Sequence, residues 1–118
     1  MDIVRRKAML FISVEDFYDK AKNEQRLTRE QEKSLYLKMR AGDGEARVLL
    51  LKSYLPFIAS FIKRSPESIR TLDTVYRCIA ALERCADGFD FSQDSESFVH
   101  RLSFYLRSCI VGAIADKN

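Results

Sequence analysis

With 118 residues, 47% of them hydrophobic and 31% charged, the chain has the composition of one globular domain with a single core and excludes a disordered polyelectrolyte. Its net charge of +3 is uneven: residues 1–64 carry 14 Lys/Arg against 9 Asp/Glu, whereas residues 65–118 carry 6 against 8. Any strongly basic surface of the kind nucleic acid requires should therefore lie in the first half, although charge alone favours a merely solvated surface.

The chain opens MDIVRRKAMLFI. This pairs a basic patch with an apolar stretch too short for a signal peptide, and no small-residue cleavage site precedes the charged segment VEDFYDKAKNE. No apolar run approaches the roughly 20 residues that span a bilayer, so the expectation is a cytoplasmic chain without a membrane partner. Ser13 can cap a short helix, VEDFYDKAKN, with Val14, Phe17, Tyr18 and Ala21 as its apolar stripe. A polar connector at residues 23–26 follows. Thr28-Arg-Glu-Gln31 is a capping box opening a second helix to about Ala41, with Leu35 and Met39 inward and Tyr36 beside them. Gly42 suits a left-handed C-terminal turn.

Asp43 caps a third helix, with Glu45 in its first turn and Ala46, Leu49 and Leu50 on its buried side. Pro56, three residues after Ser53, is tolerated in the first turn of a fourth helix, so a bend is expected near residues 53–56. Phe57, Ile58, Phe61 and Ile62 give that helix a wide apolar face. Ser65-Pro66-Glu67 reads as a cap, a first-turn proline and an acidic residue. The helix it introduces buries Leu72, Val75, Tyr76, Ile79, Leu82 and Ala86 and closes at Asp87-Gly88. Cys78 and Cys85, seven apart, share one of its faces as buried thiols. With Cys109 the cysteines are odd in number and lack CxxC spacing, and His100 is the single histidine, so no metal site is expected. The segment GFDFSQD leads to a last helix at about 94–116, whose stripe is Phe98, Leu102, Tyr105, Leu106, Cys109, Ile110, Ala113 and Ile114. Period-two alternation is absent, and the prediction is an all-α bundle of about five or six helices, one domain over 1–118.

Two stretches carry more than periodicity. Residues 27–64, LTREQEKSLYLKMRAGDGEARVLLLKSYLPFIASFIKR, combine a Leu-Thr cap, an acidic helix, the run Ala41-Gly-Asp-Gly-Glu-Ala-Arg47 and a hydrophobic helix ending in Lys-Arg. This resembles region 1.2 into region 2.1 of the bacterial sigma-70 family. Residues 98–116, FVHRLSFYLRSCIVGAIAD, are similar to that family's promoter-melting helix, regions 2.3 and 2.4, at Phe98, Arg107, Ile110, Ala113, Ile114, Ala115 and Asp116. Phe104 and Tyr105 fall where the family carries a pair of tryptophans, and Ile79-Ala80-Ala81-Leu82-Glu83 falls at its second polymerase-binding helix. Residues 1–26 stand outside the likeness.

The resemblance implies a sigma region 2-like fold that binds the clamp of the largest subunit of core RNA polymerase and engages the −10 promoter element. It admits an anti-sigma protein as a further partner, and no cofactor. On it, Arg101, Phe104, Tyr105 and Arg107 are the DNA-binding positions, and Asp73, Tyr76 and Arg77 the polymerase-binding ones. Melting needs aromatic faces for unstacked bases and cations for the backbone. Tyr105 has a second reading as a core residue, and Asp73 and Arg77 a second reading as an i, i+4 pair.

The sequence also departs from the family. Val111-Gly112 replaces a pair of arginines, the Asp-Leu-Ile-Gln-Glu-Gly signature is missing around residues 69–74 with only Asp73 keeping an acid there, and the −35-reading helix-turn-helix is not among these residues. Two further readings therefore stand beside the first: a polymerase-binding adaptor without DNA melting (a split-sigma partner or a competitor), and a helical interaction domain unrelated to transcription. No nucleophile or carboxylate is spaced for chemistry with His100, and there is no Gly-rich phosphate loop, so an enzyme is not expected.

Overall fold

The computed structural model describes residues 9–93 and 97–117. Among them are six α-helices, one 3-10 turn and no strand, the all-α architecture that the hydrophobic spacing predicts. The basic start, residues 1–8, lies outside the described residues.

Helix α1 spans Val14–Lys22; the Ser13 hydroxyl accepts the Asp16 amide at 3.0 Å, acids occupy the first turn and lysines the last, and Phe17 and Ala21 are buried. Helix α2 spans Arg29–Arg40 behind the expected capping box: Thr28 Oγ1 accepts the Gln31 amide at 3.1 Å, and Gln31 Oε1 accepts the Thr28 amide at 2.9 Å. Its one buried side chain is Tyr36, with Leu35 and Met39 half-buried beside it. Gly42 turns the chain at φ +100°, and Asp43 caps helix α3, Gly44–Lys52, through the Glu45 and Ala46 amides at 3.0 and 3.1 Å.

Helix α3 departs from expectation. It buries Ala46, Val48, Leu50 and Leu51, whereas Leu49 is 55% exposed. The cause is packing on two sides, against α2 and against the helix at Leu72–Asp87, which covers a different arc from a single amphipathic stripe. The expected bend falls at residues 53–54, and helix α4 spans Leu55–Lys63 with Pro56 in its first turn. Ser53 donates back to the Leu50 carbonyl at 2.6 Å, so it closes α3 and does not cap α4.

Ser65-Pro66-Glu67 opens only a 3-10 turn, Glu67–Ile69. Ser65 is turned inward instead of capping: its hydroxyl donates to Phe61 O at 2.7 Å and its carbonyl accepts Arg70 Nε at 2.9 Å. Helix α5, Leu72–Asp87, starts behind Thr71, which accepts the Thr74 amide at 3.3 Å. Helix α6 spans Phe98–Lys117; the expected start at 94 lies outside the described residues, which resume at 97.

Helices α5 and α6 pack on each other most extensively, α2 pairs with α3, α1 lies on α4, and the 3-10 turn abuts α6. Phe17, Leu51, Leu55, Ile58, Ile62, Val75, Leu82, Leu102 and Leu106 form the centre of one core. Cys78 and Cys85 lie in it as free thiols, and burial, with a smaller effect of Cys109, pushes the Cys78 pKa up to about 12. The stretch that follows α5 turns two rings into the core. Phe89 and Phe91 are 8% and 4% exposed, and their rings meet Phe98 at 5.1 and 4.7 Å, which in turn meets Tyr54 at 4.6 Å. No helix among the described residues is long and apolar enough to cross a membrane.

Candidate functional site

Helix α6 is apolar on more than one side. Its inward side chains, Phe98, Leu102, Leu106 and Ala113, are buried. On the outside, Phe104 is 56%, Tyr105 37% and Val111 66% exposed. Tyr105 sits at a stripe position by spacing, yet lies at the stripe's edge. The arc that α5 covers ends before it, so its ring walls a groove between the two helices.

That groove, about 670 Å³ and widely open, has Phe104, Tyr105, Ser108 and Gly112 of α6 on one side and Arg77, Ala80 and Arg84 of α5 on the other. It brings together residues expected in two separate sites: Arg77 from the polymerase-binding set, and Phe104 and Tyr105 from the DNA-binding set. Two further side chains of α6 contact Phe104 in its wall. Arg107 lies 5.8 Å from the Phe104 ring centroid, and His100 meets that ring edge-on at 5.2 Å. Arg101 instead reaches back over the Phe89 ring at 5.4 Å and donates to the Gly88 carbonyl at 3.4 Å, so it braces the loop before α6.

The polymerase-binding set is tied up within the chain. Arg77 Nε donates to Asp73 at 3.0 Å and its Nη2 to Asp116 at 2.5 Å. The i, i+4 pair expected as an alternative is therefore present, extended by an acid from the end of α6. The hydrogen bond and charge of Asp116, then the charge of Asp73, raise the Arg77 pKa further. Cys109 Sγ donates to the Arg77 carbonyl at 3.6 Å, a second tie between the helices. Tyr76 faces elsewhere: its hydroxyl accepts the Phe11 amide at 3.0 Å and donates to the Phe11 carbonyl at 3.2 Å, pinning the segment before α1. It is 37% exposed, not buried as the α5 stripe implied.

Arg84 was not among the expected site residues. Its signal was its place seven residues after Arg77, hence on the same face of α5. The sequence marks Gly112 only as a position where the sigma-70 family carries a cation. An added Cβ there would meet nothing within 4 Å, so no close approach within the described chain calls for a glycine.

The arrangement can receive a flat or apolar group against Phe104 and Tyr105 and an anionic group at Arg84 or Arg107. Comparisons of the chain with protein-family models, with curated proteins and with solved structures found no match.

Proposed function

We propose that this chain is a sigma-like region 2 module, a cytoplasmic binding domain and not an enzyme, which associates with core RNA polymerase and engages −10 promoter DNA. One observation carries the reading. Phe104 and Tyr105, which stand where the sigma-70 family has its tryptophans, are exposed neighbours on α6 with Arg107 beside them. Stacking of an unpaired base on such rings contributes about 1–3 kcal/mol. The ordered likeness of residues 27–64 and 98–116 supports the same reading.

The electrostatics limit how much DNA binding this surface supplies. Val111-Gly112 offers no charge where the family has two arginines, and Arg77 is neutralised by two carboxylates. Affinity for duplex DNA falls steeply with each lost phosphate contact. These facts favour a second reading, an adaptor that holds the polymerase without melting DNA.

A photo-cross-linking amino acid at position 104, in the presence of core polymerase and a −10 promoter fragment, separates the readings. The first expects cross-links to the non-template strand that disappear in Arg107→Ala. The second expects co-purification with core and no DNA cross-link. Absence of both polymerase binding and cross-linking discards the transcription readings together.

A further inference from the structure

A second cavity, of about 680 Å³, lies on a different part of the surface from the α5–α6 groove. It is bounded by the connector before α2 and that helix's first turns, by the start of α4, and by the aromatic segment before α6. Its volume is that of a small-molecule site.

The floor is aromatic and preformed. Tyr54, Phe91 and Phe98 present their rings to it, and each is fixed by ring contacts of 4.6–4.7 Å with the next. Side chains so held lose little freedom on binding, which favours a flat apolar body over a flexible chain.

The polar groups sit toward one side. The Tyr54 hydroxyl donates to the Glu32 carboxylate. Of the two arginines there, Arg29 donates to the Gln93 carbonyl at 2.8 Å, whereas among the described residues no ion pair or hydrogen bond engages Arg26. Glu24, on the same side, is held by Lys52 at 3.3 Å. Among the described residues, Arg26 is thus a lining cation without a hydrogen-bond or ion-pair partner, beside the aromatic rings.

We propose that this cavity binds a small flat, apolar anion: an aromatic body seated against Tyr54, Phe91 and Phe98, with a carboxylate- or sulfonate-type head group at Arg26. Such a ligand would tie the connector at residues 23–28 to the aromatic cluster of the core. The inference needs neither polymerase nor DNA, and stands or falls apart from the reading of the α5–α6 groove.

The intact chain would be titrated with 1-anilinonaphthalene-8-sulfonate and with its uncharged relative N-phenyl-1-naphthylamine, reading fluorescence, with far-UV circular dichroism as the check on folding. The expected result is saturable binding of both probes. Ser60→Trp, which places an indole in the cavity from the outer side of α4, abolishes both. Arg26→Gln weakens the sulfonate probe roughly tenfold and leaves the neutral one unchanged. Non-saturable enhancement, or equal weakening of both probes by Arg26→Gln, overturns the proposal. So does binding lost in Phe104→Ser but kept in Ser60→Trp, which would place the probe in the other groove.

Discussion

At the scale of single residues, two glycines with the same open surroundings have opposite consequences. A Cβ at either Gly42 or Gly112 would meet nothing within 4 Å. Gly42 holds φ +100°, where a side chain is strained against its own backbone. Gly112 lies within helix α6, where glycine costs about 1 kcal/mol relative to alanine. Urea unfolding should therefore find Gly42→Ala destabilised by about 1–2 kcal/mol, and Gly112→Ala stabilised by about 0.5–1 kcal/mol. Equal signs would contradict the backbone argument. Tyr54 gives a pH prediction. Burial first, then its hydrogen bond to Glu32, push its pKa well above the ordinary tyrosine value. A folded pKa raised above the unfolded value of about 10 gives a contribution present in full below that pH and lost as pH rises beyond it. Alkaline unfolding above about pH 10 should therefore be shallower in Tyr54→Phe, and the Tyr54 share of tyrosinate absorbance should appear only with unfolding.

At the scale of elements, Arg47 joins α3 to the end of α5. Its side chain is 17% exposed, donates to Asp87 at 2.6 Å, lies 3.9 Å from Glu83 and contacts the Met39 sulfur at 3.8 Å. It thus holds the α2–α3 hairpin onto α5. Because Asp87 is 59% exposed, that ion pair by itself contributes at most about 1 kcal/mol; the packed arginine stem contributes the remainder. Arg47→Ala, which removes the stem as well as the charge, should cost about 1–2 kcal/mol and Asp87→Asn less than about 1 kcal/mol, with the Asp87 effect fading in high salt. If both changes proved equally costly, packing of the stem would have no part in the joint. Local spacing identified the Ala41–Arg47 run as a turn between two caps, but not this role for its arginine.

At the scale of the whole molecule, Phe89 and Phe91, in the stretch that follows α5, belong to the core as fully as helical residues do. Phe91 is 4% exposed and touches Phe89, Phe98 and Tyr36 at 4.8, 4.7 and 5.6 Å. Removing such a ring costs about 3–5 kcal/mol, a large part of the stability of a small domain. Phe91→Ala should therefore lower the unfolding free energy about as much as Phe98→Ala, although one residue lies in a connection and the other in a helix. A loss below about 1 kcal/mol for Phe91→Ala would mean that this ring does not pack in the core. The aromatic cluster also seats α6, so both candidate sites depend on it: it fixes the start of the helix that carries Phe104 and Tyr105, and it floors the second cavity.

The helices of this protein were legible in its sequence because their signals are local. Ser13, Thr28 and Asp43 satisfy amides two or three residues away, Gly42 takes a conformation its neighbours impose, and apolar spacing marks one face of each helix. The exposed Phe104 could likewise be placed off the stripe by counting. What tertiary structure alone decided is how far each stripe is covered. Contact with two neighbours exposed Leu49 and buried Leu51, the limited reach of α5 left Tyr105 in a groove, and a long-range hydrogen bond turned Tyr76 toward Phe11. It also brought Asp116 to Arg77 and Phe91 to Tyr36, pairs far apart in the chain. Such contacts depend on where whole helices come to rest against each other, which periodicity within one helix does not encode.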